Sequence, residues 1–170
     1  MSTPQFFSSE ILSSGSSSAG RRKILTLCGL RRKNSYARLS SSDNALSSGG
    51  CLKFDLKAFD DGFYRRICSA TLQPVLDSLV VFREEGVWVE VTNLLIPTLN
   101  DDMSMVRRMA RWIRDELGAG TPLHFSRFTP LYRMRNLPPT PTVALERARR
   151  EALDAGLHYV YIGNVFGHEG

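Results

Sequence analysis

A period of about 35 residues constrains this chain most: strand-like segments begin near positions 52, 87, 122 and 158, and helical patterns separate them. Leu52-Lys53-Phe54-Asp55-Leu56-Lys57 alternates apolar and polar side chains, as a half-buried strand does. Leu72, Val75, Leu76, Leu79 and Phe82 follow at helical spacing, with Gly86 as the stop. Val87 to Ile96 is β-branched and mostly apolar, which predicts a buried strand ended by Pro97. Asn100 or Asp101 stands where an N-cap is needed, with acids in the first turn of the helix that follows. Met105, Met109, Trp112, Ile113 and Leu117 form its apolar stripe, and Gly118 and Gly120 close it. Leu123 to Phe128 predicts a third strand. Thr140 and Pro141 make an N-cap and N1 pair for a helix through Ala155, closed by Gly156. His158 to Ile162 predicts a fourth strand.

Strands alternating with helices at this spacing imply right-handed βαβ units and a parallel sheet. A closed eight-unit barrel takes about 250 residues. Four strands therefore make either a short open α/β sheet or part of a barrel. Trp88 and Trp112 are expected in the core.

Residues 1–50 differ in character. They hold 14 serines and seven Lys or Arg against two acids, Glu10 and Asp43. Only Ile24-Leu25-Thr26-Leu27 resembles an apolar strand, too little buried surface to offset the entropy of ordering the segment. A disordered tail, a stretch foreign to the domain and a Ser/Arg-rich transit peptide are the competing readings. The division is thus 1–50, a low-complexity basic Ser-rich segment expected to be disordered, and 51–170, the folded unit. The net charge of +5 belongs to the first part, because residues 51–170 carry 15 basic and 15 acidic side chains. That distribution argues against a nucleic-acid binder. No run of about 18 apolar residues occurs, so no membrane-spanning helix is expected. Cys28, Cys51 and Cys68 fit no common metal spacing, and an odd count argues against a disulfide framework. A reducing, cytoplasmic setting is the simplest expectation.

In parallel α/β sheets, ligands sit at the carboxyl ends of the strands. The polar residues there are Asp55 and Lys57, then Thr92, Asn93 and Thr98, then Ser126, Arg127 and Thr129, then Asn164, His168 and Glu169. Asp55 and Lys57 share one strand face, as do Glu90 and Thr92. The bland reading of an Asp-x-Lys pair is a solvated edge. Glu90 in an apolar strand is harder to dismiss, because an unpaired buried carboxylate is costly. It either meets a cation, with Arg127 as one candidate, or marks a rim. Arg127 among Phe125 and Phe128 is alternatively an anion clamp. Phe125, Phe128 and Tyr132 beside Arg127, Arg133 and Arg135 read better as core aromatics plus a solvated loop than as a nucleic-acid surface.

Five ordered segments carry a resemblance: Phe54 to Tyr64 (FDLKAFDDGFY), Gly86 to Pro97 (GVWVEVTNLLIP), Asn100-Asp101-Asp102, Pro122 to Phe128 (PLHFSRF) and Tyr159 to Val165 (YVYIGNV). Together they resemble the radical S-adenosylmethionine (SAM) enzymes of the AmmeMemoRadiSam system, relatives of pyruvate formate-lyase activating enzyme. The resemblance implies the carboxyl-terminal half of a partial (β/α) TIM-like barrel, with about four parallel strands and helices outside. It implies reductive SAM cleavage at a 4Fe–4S cluster, giving a 5′-deoxyadenosyl radical that takes hydrogen from a protein or small-molecule substrate. It places Asp55, Lys57, Thr92 and Thr129 on the SAM side, and Glu90, Asn93, Ser126 and Arg127 at the barrel mouth toward substrate. Thr129 stands where these enzymes usually carry histidine, and Phe166 where they carry proline.

The cluster motif of that family, Cys-x3-Cys-x2-Cys, does not occur in these 170 residues, nor does its Gly-Gly-Glu segment for the SAM amino group. Three closely spaced thiolates are what hold such a cluster and leave one iron open for SAM. The expectation is a chain cut at both ends relative to the family, without metal ligands or catalytic residues of its own and inactive alone. The alternative is a subunit or binding module that completes a barrel with another chain. Exposed strand edges favour association in either case, with marginal folding, low solubility or oligomers expected.

Overall fold

The computed structural model describes residues 51–165. Four strands, β1 (Cys51–Asp55), β2 (Trp88–Leu95), β3 (Leu123–Arg127) and β4 (Val160–Gly163), form one sheet in the order β1-β2-β3-β4. Every pairing is parallel. The connections carry α1 (Asp61–Phe63, continued by a π-helical turn, Tyr64–Cys68), α2 (Gln73–Glu84), α3 (Met103–Trp112, continued by a π-helical turn, Ile113–Leu117) and α4 (Thr142–Asp154). A short 3-10 turn spans Tyr132–Met134. This is the expected partial TIM-like architecture, and among the described residues the sheet does not close on itself.

Side-chain alternation divides the sheet into two faces. Phe54, Val89, Val91, Leu95, Leu123, Phe125, Val160 and Ile162 are buried on one face, in a single core with Leu79, Met105, Met109, Ile113 and Leu145 from the helices. The other face carries Lys53, Asp55, Glu90, Thr92, His124, Ser126 and Tyr161, none of them fully buried. Trp88 begins that face and is 54% exposed, so the sequence expectation of a core tryptophan fails. Trp112 is half-buried, packed on Phe59 at 6.0 Å between ring centroids.

Two cap expectations are corrected. Asp102, not Asn100 or Asp101, caps α3, accepting from Ser104 N at 3.1 Å and Met105 N at 3.2 Å, and the first turn holds no acid. Asn100 is drawn under the sheet instead, and Asp101 accepts from Thr98 N at 2.8 Å, where Thr98 sits at φ 68°. At α4, Pro141 takes the cap position and the helix begins at Thr142. Thr140 is wholly buried; its hydroxyl donates to Leu95 O and accepts from Phe128 N, which ties β2 to the end of β3. The hydroxyl is turned toward these two backbone groups and away from the start of α4. Strand bounds are shorter than the apolar runs suggest, because Leu56 and Lys57 already turn away from β1. Gly156 ends α4 at φ 101°, a conformation that β-carbon-bearing residues rarely adopt.

Candidate functional site

The uncovered face holds the residues with chemistry. Strand register aligns Asp55, Thr92, His124 and Tyr161 as one row across all four strands. At its β1 end, Asp55 Oδ1 accepts from Thr92 Oγ1 at 3.0 Å and Asp55 Oδ2 from Lys57 Nζ at 2.7 Å. The Asp55 and Lys57 side chains remain 33% and 29% exposed, so the pair is within reach of a ligand. Lys57 is steered there by the backbone: its N–H donates to the Tyr64 hydroxyl at 3.1 Å, and Leu56 N to Thr92 O at 2.9 Å.

One step toward the amino ends of the strands, Glu90 meets its cation. Lys53 Nζ lies 3.6 Å from Glu90 Oε2 and His124 Nε2 lies 3.3 Å from the same oxygen, while the Cys51 thiol reaches Oε1 at 3.7 Å. The His124 contact is close but falls short of hydrogen-bond alignment. The His124 ring stacks on Tyr161 at 5.1 Å with 24° between planes. Burial and the Lys53 ammonium push the His124 pKa below its usual value, against the opposing pull of Glu90. His124 is therefore neutral at pH 7.

The structure brings Asp55, Lys57 and Thr92 together, and sets Glu90 and Ser126 on the same face. It separates the others. Arg127 stands beside Leu95 in the register and donates from Nε to Thr140 O at 3.1 Å, so it pairs with a backbone carbonyl and not with Glu90. Asn93 is fully buried beneath the helices, where Nδ2 donates to Leu56 O at 2.7 Å and Lys57 O at 3.1 Å. It holds the bend after β1. Thr129 is exposed beyond the end of β3. Asn164 sits at φ 61° just after β4. His168, Glu169 and Phe166 lie outside the described residues.

Sequence reasoning missed three side chains. His124 and Lys53 are the partners of Glu90, and β-strand alternation alone puts both on its face. Asn100 is the third: it donates to Lys57 O at 2.6 Å and Leu94 O at 2.9 Å and accepts from Ile96 N at 2.6 Å, joining the loops that follow β1 and β2.

An iron–sulfur cluster does not fit the described residues. Among them no group of three or more His, Cys, Asp or Glu side chains is placed to hold a metal ion. Cys51 opens β1, at the end of the sheet opposite Lys57, and Cys68 lies in the turn after α1. Asp55, Lys57 and Thr92 put a carboxylate, an ammonium and a hydroxyl within reach of one another.

No protein-family model matches the chain. It is 50% identical over 119 residues to the uncharacterized protein MJ0808 of Methanocaldococcus jannaschii, a match covering 70% of this chain and 35% of that protein. The chain thus spans about a third of that relative's length. Among solved structures it resembles a domain of pyruvate-formate lyase-activating enzyme from Bacteroides vulgatus, with a TM-score of 0.60, 16% identity and 72% of each chain covered. At that identity the likeness is one of fold. The chain has the half-barrel fold that this activating-enzyme domain also has. Among the described residues no helix is long and apolar enough to cross a membrane.

Proposed function

We propose that residues 51–170 are the SAM-side half of a radical SAM barrel of the AmmeMemoRadiSam type. The observation that carries the reading is the Asp55–Thr92–Lys57 group, set at the carboxyl end of a parallel sheet on the face that no helix of the described residues covers. The fold likeness to an activating-enzyme domain supports it, as do the five ordered segments. Asp55 and Thr92 would hold the ammonium and hydroxyls of SAM, and Lys57 its carboxylate. Thr129 lines the rim, and Ser126 faces the substrate, a protein or a small molecule. The three thiolates for a 4Fe–4S cluster come from outside these 170 residues, so this chain alone does not cleave SAM. A reducing compartment, the cytoplasm, suits such a cluster.

Titration of SAM into the full chain, followed by calorimetry, tests the first part. Saturable binding that D55N and K57A abolish without changing the circular dichroism is expected; no binding by the wild type would sink the reading. Anaerobic iron–sulfide reconstitution tests the second. Formation of 5′-deoxyadenosine by this chain alone would overturn the claim that the cluster ligands lie elsewhere.

A second reading is favoured by the two sheet edges that have no partner strand among the described residues: the chain is a subunit that completes a barrel with a polypeptide carrying the cysteine motif. Light scattering after size exclusion separates the two. A folded monomer that ignores such a polypeptide counts against the subunit.

A further inference from the structure

The row that holds Asp55 and Thr92 continues to His124, and nothing above gives that imidazole a task. We propose that His124, positioned by Glu90, contacts the ligand of the uncovered face as a hydrogen-bond acceptor and completes its binding row. The inference rests on the reading that this face binds SAM, and it adds His124, which the resemblance does not supply.

Three observations carry it. First, place: His124 is the register partner of Thr92, whose hydroxyl already touches Asp55, so ligand bound at Asp55 and Thr92 lies one strand away. Paired side chains on one sheet face stand roughly 5 Å apart, within the span of a nucleoside. Second, orientation: Nε2 is buried 3.3 Å from Glu90 Oε2, close to the carboxylate though out of hydrogen-bond alignment, and Tyr161 fixes the ring plane by stacking. The partner of one ring nitrogen sets the tautomer of the other. The carboxylate charge 3.3 Å from Nε2 favours the tautomer that carries its proton there, which leaves Nδ1 as an acceptor. Nδ1 makes no hydrogen bond to any described residue, so its partner is water or ligand. The ligand group opposite it is therefore a donor, a hydroxyl or an ammonium, and SAM carries both. Third, protonation: the ring is neutral at pH 7, as an acceptor must be.

Among the described residues the charged and titratable groups that face His124 are Cys51, Lys53 and Asp55 from β1, Glu90 from β2 and Tyr161 from β4, and no helix packs on this side. Protonating His124 turns the acceptor into a donor and sets two donors against each other. SAM affinity should therefore weaken as pH falls through the His124 pKa.

The test is SAM binding to the full chain at about pH 7.5 and about pH 5.5, for wild type, H124Q and E90Q, with histidine ring resonances followed by NMR. The wild type should weaken on acidification, and its His124 resonance should move when SAM is added. H124Q should bind about tenfold more weakly at the higher pH, the scale of one lost hydrogen bond, and show a flat pH profile. E90Q keeps the ring but frees its tautomer, and should shift the midpoint of the profile. If H124Q binds SAM as the wild type does, or the wild-type resonance is indifferent to SAM, the proposal fails and the SAM reading stands. If the wild type binds no SAM, both fall. Should H124Q not fold, the wild-type resonance alone decides.

Discussion

One sheet here has two unlike faces. The helix side packs Phe54, Val91, Leu95, Leu123 and Phe125 into a continuous apolar core. The other side sets Lys53, Asp55, Lys57, Glu90, Thr92 and His124 in an array with two ammonium groups against two carboxylates. The same backbone ladder serves both, because successive residues point to opposite faces and a slip of one register step would exchange them. The division teaches where stability and chemistry reside: the covered face has given up polar side chains to bury area, and the open face has given up burial to keep groups reachable.

The largest effect expected from this division is on the covered side. Phe125 is wholly buried at the centre of the core, and Phe125→Ala should cost about 3–5 kcal/mol in denaturant unfolding. A loss near 1 kcal/mol would mean that the helix face is not what holds the fold. Next is Asn100→Ala, which leaves Lys57 O, Leu94 O and Ile96 N without their partner and should cost about 2–3 kcal/mol by the same measurement. On the open side the expected effects shrink. The folded-state pKa of His124 lies below its unfolded value, so below the unfolded value the unfolded chain binds a proton that the native one resists. Stability should fall as pH drops from about 7 toward about 5.5, and the part of that loss due to His124 should vanish in H124Q. An unchanged pH slope in H124Q would remove the imidazole from the account. Smallest is Lys53→Met, whose ammonium is 40% exposed: less than about 1 kcal/mol in thermal unfolding at pH 7. The same change should reduce the acid loss, since Lys53 is one of the causes that lower the His124 pKa.

The covered face was the legible one. The spacing of Met105, Met109, Ile113 and Leu117, and the apolar run from Val87 to Ile96, hold enough hydrophobic signal to fix the element order and parallel topology. The open face was legible only in part. Asp55 and Lys57 announce themselves by alternation, and Glu90 by its cost among apolar neighbours, but its partners come from β1 and β3, and pairing register across 30 or more residues is written nowhere locally. Thr140 and Asn100 misled for a related reason. Both are good cap residues by local propensity, yet buried backbone groups of other strands claim them first. Trp88 misled through size: a large aromatic suggests a core, and its position in the alternation put it on the other side.

The order of the strands has a last consequence, for how the molecule is made. Each strand pairs with its neighbours in the chain, Phe54 with Val91, Val91 with Leu123 and Leu123 with Val160, so no strand waits for a distant one. The ladder can lengthen one βα unit at a time as the polypeptide leaves the ribosome, each new strand templated on the one before. Each pairing still waits for a whole helical crossover to be made, so assembly is paced by parallel pairing, which is slower than the local contacts of a helical bundle. Among the described residues the ladder thus extends in chain order from β1 to β4.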